Sequence, residues 1–182
     1  MKTLKLLAVM LMMTVATQAQ TVDEILNKYF ENTGGKEKWA ALNSVKMNGK
    51  VKVQGMEIPM NIIQTADGKQ KIIINFQGKE ITQMAFDGNE GWSTNFMTQK
   101  PEKMDAEASA NMKSQTGDFP DPFLNYKEKG YTAQLEGKET IEGTETFKVK
   151  LTKKPVKVDG KDEENVVYYF FDAENYVPIA MK

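Results

Sequence analysis

The 182-residue chain contains no cysteine and no histidine, and all 24 of its basic residues are lysine, so arginine is absent too. Without cysteine there are no disulfides, and stability must come from an apolar core. A lipid anchor of the kind attached to a cysteine just after a signal cut is excluded for the same reason. With neither His nor Cys, the usual soft metal sites and nucleophile–base pairs are unavailable. Any catalysis would fall to carboxylates, Lys or Tyr, and no catalytic residue, metal ligand or cofactor is expected. An excess of either sign of charge is lacking as well: 24 basic residues face 25 acidic ones, for a formal net charge of −1. A chain without a basic excess is not expected to bind nucleic acid.

What is present begins with an export signal. Lys2 and Lys5 form a positive start, Leu6 to Val15 is apolar, and Thr17-Gln18-Ala19 places small residues at the last and third-last positions before a cut. Cleavage is expected after Ala19, making 1–19 a signal peptide and 20–182 a single domain. The apolar run is shorter than the roughly 20 residues needed to cross a bilayer. Removing Lys2 and Lys5 takes the net charge from −1 to −3. The remaining length suffices for one domain with a real core. A soluble periplasmic protein, monomeric, is expected.

The mature chain opens with a helix. Thr21-Val22-Asp23-Glu24 is a capping box. Val22, Ile25, Leu26, Tyr29 and Phe30 share a helical face, and Gly34-Gly35 ends the run. A second short helix is expected to hold Trp39 and Leu42. From Ser44 the period changes to two. Five short strands follow, over Val45–Val53, Met56–Gln64, Ile72–Phe76, Lys79–Phe86 and Gly91–Phe96, with turns at Gln54-Gly55, Asp67-Gly68, Gln77-Gly78 and Asp87-Gly88-Asn89. Pro101 to Ser114 reads as helix, with Pro101 in its first turn and Met104, Ala108 and Met112 on one face. Strands return at Tyr131–Leu135, Phe147–Leu151 and Val166–Phe171. The chain stops inside a last strand at Tyr176–Met181, so the domain is expected to be incomplete at its C-terminus.

This pattern predicts a mainly β fold, with some α: a curved antiparallel sheet with helices lying on its apolar face. The buried face is expected to carry Met47, Val51, Ile58, Met60, Ile62, Ile74, Phe76, Met84, Phe86, Trp92, Phe96, Phe147, Val149 and Tyr169. Eight methionines lie beyond residue 19. Met is unbranched and adaptable, so they either fill gaps in the core or line a surface for variable apolar partners.

Certain of these residues also carry a resemblance. The N-terminal helix with Thr33-Gly34-Gly35 and Trp39-x-x-Leu42, then Phe86-Asp87-Gly88 with Gly91-Trp92, then Tyr168-Tyr169-Phe170-Phe171-Asp172 with Val177-Pro178, resembles the outer-membrane lipoprotein-sorting family of LolA/LolB-like periplasmic carriers. The resemblance runs over nearly the whole mature chain. It implies an unclosed β-barrel with a helical lid, here 101–126, over a cavity that holds acyl chains of lipoproteins or related lipids. Met104 and Met112 would join the fourteen residues above as cavity lining. The arginine that helps hold the lid of the family's carrier has no counterpart here.

Other candidates read as surface. Glu163-Glu164, Asp172 with Glu174, and Glu102 with Asp105 are carboxylate pairs in expected turns or on an exposed helix face. Asp159 to Glu164 lacks the ligand order of a calcium loop. Trp92 suits either a packing anchor or a stacking platform. Lys46, Lys50 and Lys52 form a stripe that either solubilises one strand face or makes transient contact with an anionic membrane surface. A filled-core envelope module without a ligand is the alternative to a carrier.

Overall fold

The computed structural model describes residues 20–182; the signal-peptide reading lies outside them. Helix α1 spans Val22–Asn32 and α2 Lys36–Ala40. Six strands follow: β1 Ser44–Val53, β2 Met56–Thr65, β3 Gln70–Phe76, β4 Lys79–Phe86, β5 Gly91–Thr94 and β6 Pro101–Lys103. Helix α3 covers Ala106–Thr116. Four more strands close the chain: β7 Thr132–Ile141, β8 Thr144–Val158, β9 Lys161–Asp172 and β10 Pro178–Met181.

The fold is mainly β and antiparallel, as the alternation predicts, but it is divided. β1 to β6 form one up-and-down sheet in chain order, and β10-β9-β8-β7 form a second. The sheets do not close into a barrel. Among the described residues no helix is long and apolar enough to cross a membrane. Tight turns set the register of the first sheet. Gln54-Gly55 (φ 48° and 82°) and Gln77-Gly78 (φ 51° and 75°) place both residues in the left-handed region, the two-residue turn whose twist matches flanking strands.

Helix α1 starts where the capping box predicts: the Glu24 N–H donates to Thr21 Oγ1 and the Thr21 N–H donates back to the Glu24 carboxylate. Its apolar face, Ile25, Leu26, Tyr29 and Phe30, lies on the second sheet. There it meets Phe147, Val149, Leu151 and Phe171, with Phe123, Leu124, Tyr126 and Tyr131 completing the cluster. No residue of β1–β6 belongs to it. The solid core is therefore built on one sheet only.

Two local expectations are corrected. Pro101 opens the edge strand β6, opposite Thr94, rather than a helix. An edge position suits a residue without an N–H. The helix begins five residues later, where the Asp105 carboxylate caps it by accepting from the Ala108 N–H at 2.7 Å. The segment 101–126 is consequently not one unit: it contributes β6, then α3, then the Phe123–Tyr126 turn that enters the core. Leu42 lies beyond the end of α2 and is exposed.

Candidate functional site

The register of the first sheet decides which side chains stand together. Met47 faces Ile62, and Val51 faces Ile58. Met60 faces Ile74, Met84 faces Ile72, and Phe76 follows Ile74 at the two-residue step. Directly paired residues share a face, so these form one continuous apolar surface, which Phe86 joins opposite Gln70. A β-bulge makes this possible on β4. Ile73 pairs with Thr82 but Ile72 pairs with Met84, leaving Gln83 as the extra residue. The bulge shifts the phase so that Ile81 before it and Met84 and Phe86 after it point the same way.

Trp92 is a correction. Phe86 faces Gly91 across β4 and β5, while Ala85 faces Trp92. Strict alternation therefore puts Trp92 on the opposite face from Met84 and Phe86. Gly91 takes the inner position, and Met104 fills the space a side chain would need: a Cβ built there would come 2.6 Å from Met104 Sδ. Phe147, Val149 and Tyr169 are corrected too. The first two are buried in the closed core, and Tyr169 packs on it with its ring 4.8 Å from that of Phe123. They belong to the sheet that α1 covers and do not line an opening.

Helix α3 seals one end of the apolar face. The Gly91 N–H donates to Ser109 Oγ at 3.3 Å, and a Cβ at Gly68 would meet Thr116 Oγ1 at 3.7 Å. Ser109, Met112 and Thr116 are the helix's buried residues. Its other flank is held by the β8–β9 turn. The Glu107 carboxylate accepts from the Asp159 and Gly160 N–H groups at 3.0 and 2.7 Å. Asn111 donates to the Lys157 carbonyl at 2.7 Å and accepts from its N–H at 3.1 Å.

The other end of the face is uncovered. A groove of about 510 Å³ runs there between Val51, Val53, Ile58, Met60, Ile74, Phe76 and Phe96, with Gln83 the one polar residue of its lining. Its size falls within the roughly 300–1,000 Å³ of small-ligand sites. Phe96 comes from the β5–β6 loop, since β5 stops at Thr94, and is 59% exposed. Val53 continues the alternation of β1, the signal by which sequence reasoning could have included it. Phe76 and Phe96 also border a second cleft of about 680 Å³, with Ile81, Trp92 and Pro101 among its walls. It opens because β5 pairs with β4 only at Met84, Ala85 and Phe86, leaving the rest of β4 an open edge. Trp92 thus lines a cleft, though not the one its expected position implied.

Polar chemistry gathers elsewhere, under the second sheet. Asp121 accepts from Tyr29 Oη at 2.9 Å and from the Phe123 N–H at 2.8 Å. Tyr131 Oη and Lys153 Nζ converge on the Asp118 carboxylate at 2.8 and 2.9 Å. Burial raises the Asp121 pKa and lowers that of Lys129, whose ammonium donates to the Asp118 and Asp121 carbonyls. Burial also pushes Tyr169 up to about 12. The hydrogen bonds of Tyr29, Tyr131, Lys129 and Lys153 tie the 118–131 connection together and to α1 and β8. The carboxylate pairs have structural partners as well: Asp172 accepts from the Glu174 and Asn175 N–H groups in a turn, Asp105 caps α3, and Glu102 accepts from Asn95. Among the described residues there is no cluster of three or more acidic side chains placed to hold a metal ion.

No family model matches the chain, and no curated protein matches it. Among solved structures it is similar to a LolA superfamily protein from Nitrosomonas europaea, at 17% identity and a TM-score of 0.43, over 90% of this chain and 71% of that one. It is similar to a DUF1329 family protein from Desulfovibrio piger at 11% identity and a TM-score of 0.42, over 86% and 72%. It is similar to the Mycobacterium tuberculosis lipoprotein LppX at 13% identity and a TM-score of 0.35, over 84% and 80%. Each is a likeness of fold at low identity and carries no ligand or activity to this chain.

Proposed function

We propose that this chain is exported behind the 1–19 signal, cut after Ala19, and works in the periplasm as a carrier or receptor for acyl chains of lipoproteins or related lipids. The observation that carries the reading is the uncovered half of the apolar face on the first sheet. A soluble domain gains nothing by leaving Val51, Val53, Ile58, Met60 and Phe96 under water unless something apolar takes the water's place. An acyl chain fits that need. Each buried methylene contributes roughly 0.8 kcal/mol, so one long chain supplies on the order of 10 kcal/mol before ordering costs. Directional chemistry is not required, and no enzymatic step or cofactor enters the proposal. Helix α3, with its own Met112 facing inward and Met104 just before its start, is the movable cover of the deeper part of the same face. The unbranched thioethers suit a chain of variable length and saturation.

The test is native mass spectrometry of protein purified from the periplasm of a Gram-negative host. A co-purifying lipid mass is expected for the wild type. Met60→Lys, which places an ammonium in the groove, should reduce retention tenfold or more while the melting temperature stays within a few degrees, since Met60 lies outside the solid core. A clean apo mass for the wild type, or unchanged lipid in folded Met60→Lys protein, would overturn the reading and leave a ligand-free envelope module in its place.

A further inference from the structure

We infer that the β1–β2, β3–β4 and β5–β6 tips of the first sheet form a docking surface for an anionic lipid bilayer. The topology brings them together. In an up-and-down sheet alternate turns lie at the same end, so 54–55, 77–78 and 95–100 share one end while 66–69 and 87–90 share the other. The two ends differ in chemistry. The second end carries Asp67, Lys69, Asp87, Asn89 and Glu90 and no large apolar side chain in its turns. The first exposes Met97 at 96%, Phe96 at 59%, Met56 at 52% and Val53 at 43%. These are four of the nine exposed large apolar side chains among the described residues, Met97 the most exposed of all, and they stand at one end of one sheet.

Charge selects the partner. Lys52, Lys79 and Lys100 flank the three tips and take part in no ion pair among the described residues, against two carboxylates outside any ion pair, Glu80 and Glu102, so the end carries a net positive charge. Glu57 is held by Lys50 at 2.9 Å, so that pair cancels. Residues 20–182 as a whole carry a formal charge of −3. A cationic end on an acidic domain is attracted to an anionic surface while the rest of the molecule is repelled, which orients the approach. Shape argues the same way. Three separate narrow turns make a poor protein interface, which needs roughly 800 Å² of well-packed surface per partner. They suit the interfacial layer of a bilayer, where short apolar side chains insert and lysines meet headgroups. The groove opens at this end and α3 closes the other, so docking would set its mouth against the lipid. The inference does not depend on what the groove binds, because Met56, Met97 and the lysines lie outside its lining.

Vesicle flotation of the purified exported protein tests it, with phosphatidylglycerol-containing vesicles and with pure phosphatidylcholine vesicles. Wild-type protein is expected to float with the anionic vesicles and at least severalfold less with the neutral ones. Met56→Ser with Met97→Asp, both outside the groove lining, should reduce flotation about tenfold or more, in keeping with lost apolar insertion. Met181→Asp, which removes an apolar side chain 71% exposed on the other sheet, should float as wild type does. All three changes are at exposed positions, so circular dichroism should show unchanged folding. Absence of wild-type flotation, flotation that ignores lipid charge, or equal flotation of the tip variant overturns the inference. Groove occupancy by mass spectrometry is read on the same samples, so failure of tip docking and failure of the acyl-chain reading are told apart.

Discussion

At the scale of single residues, Asp121 shows how burial turns an ordinary carboxylate into a pH-sensitive element. Its oxygens are satisfied by Tyr29 and by the Phe123 N–H, yet loss of water outweighs both and raises its pKa above the ordinary 3.8. The native state then holds the proton at pH values where the unfolded chain has released it. Stability from this group grows as pH falls toward 3.8 and is lost as pH rises through the folded value. Asp23, lowered by its hydrogen bonds to Lys127 and Tyr126, acts in the opposite sense, and its contribution disappears as pH falls below the ordinary value. Comparison of wild type with Asp121→Asn isolates the first effect. The difference in melting temperature should move in favour of the wild type between about pH 7 and about pH 4. A difference that moves the other way would show that Asp121 is ionised throughout.

At the scale of elements, α3 is held more by polar contacts than by burial. It presents only Ser109, Met112 and Thr116 to the interior, whereas α1 of equal length buries Ile25, Leu26, Tyr29 and Phe30. Its attachment to the β8–β9 turn comes from Glu107 and Asn111, whose four hydrogen bonds are exposed. Exposed hydrogen bonds compete with water and contribute on the order of 1 kcal/mol at most each. That is a sensible footing for an element proposed to move. Replacing both residues, Glu107→Ala with Asn111→Ala, is predicted to speed amide exchange across α3 by tenfold or more. α1, β8 and β9 should keep wild-type protection. Unchanged exchange in α3 would mean that the clasp holds nothing.

At the scale of the whole molecule, the two sheets differ in how they are covered. The second sheet buries one face under α1 and the 119–131 connection, with Val149, Leu151 and Phe171 at 0% exposure. The first has only Ile74 and Phe86 among its large apolar side chains in the buried class. Local stability follows buried contacts. Hydrogen exchange should therefore find β8 and β9 among the most protected strands and β1 and β2 opening at least tenfold more readily. An added acyl ligand should narrow that gap, since binding to the native state alone stabilises it. Equal protection of both sheets without ligand would show the first to be as well packed as the second.

Much of this was legible from the chain alone, because it depends on neighbours in sequence. The capping box at Thr21, the hairpin turns at Gln54-Gly55 and Gln77-Gly78, and the alternation of Met47, Val51, Ile58, Met60, Ile62 and Ile74 are local patterns, and the structure keeps each of them. Periodicity tells which residues share a face of a strand, but not which sheet that strand joins or what lies on it. Only the tertiary structure could send Phe147 and Val149 under α1 while leaving Val51 and Ile58 beside open space, since helix cover is decided by residues distant in the chain. The position of Trp92 turned on a pairing, Phe86 with Gly91, that alternation within either strand cannot reveal. The end of the first sheet left bare depends on where α3 docks, and that is set by contacts to Gly91 and to the turn at 157–160, far away in sequence.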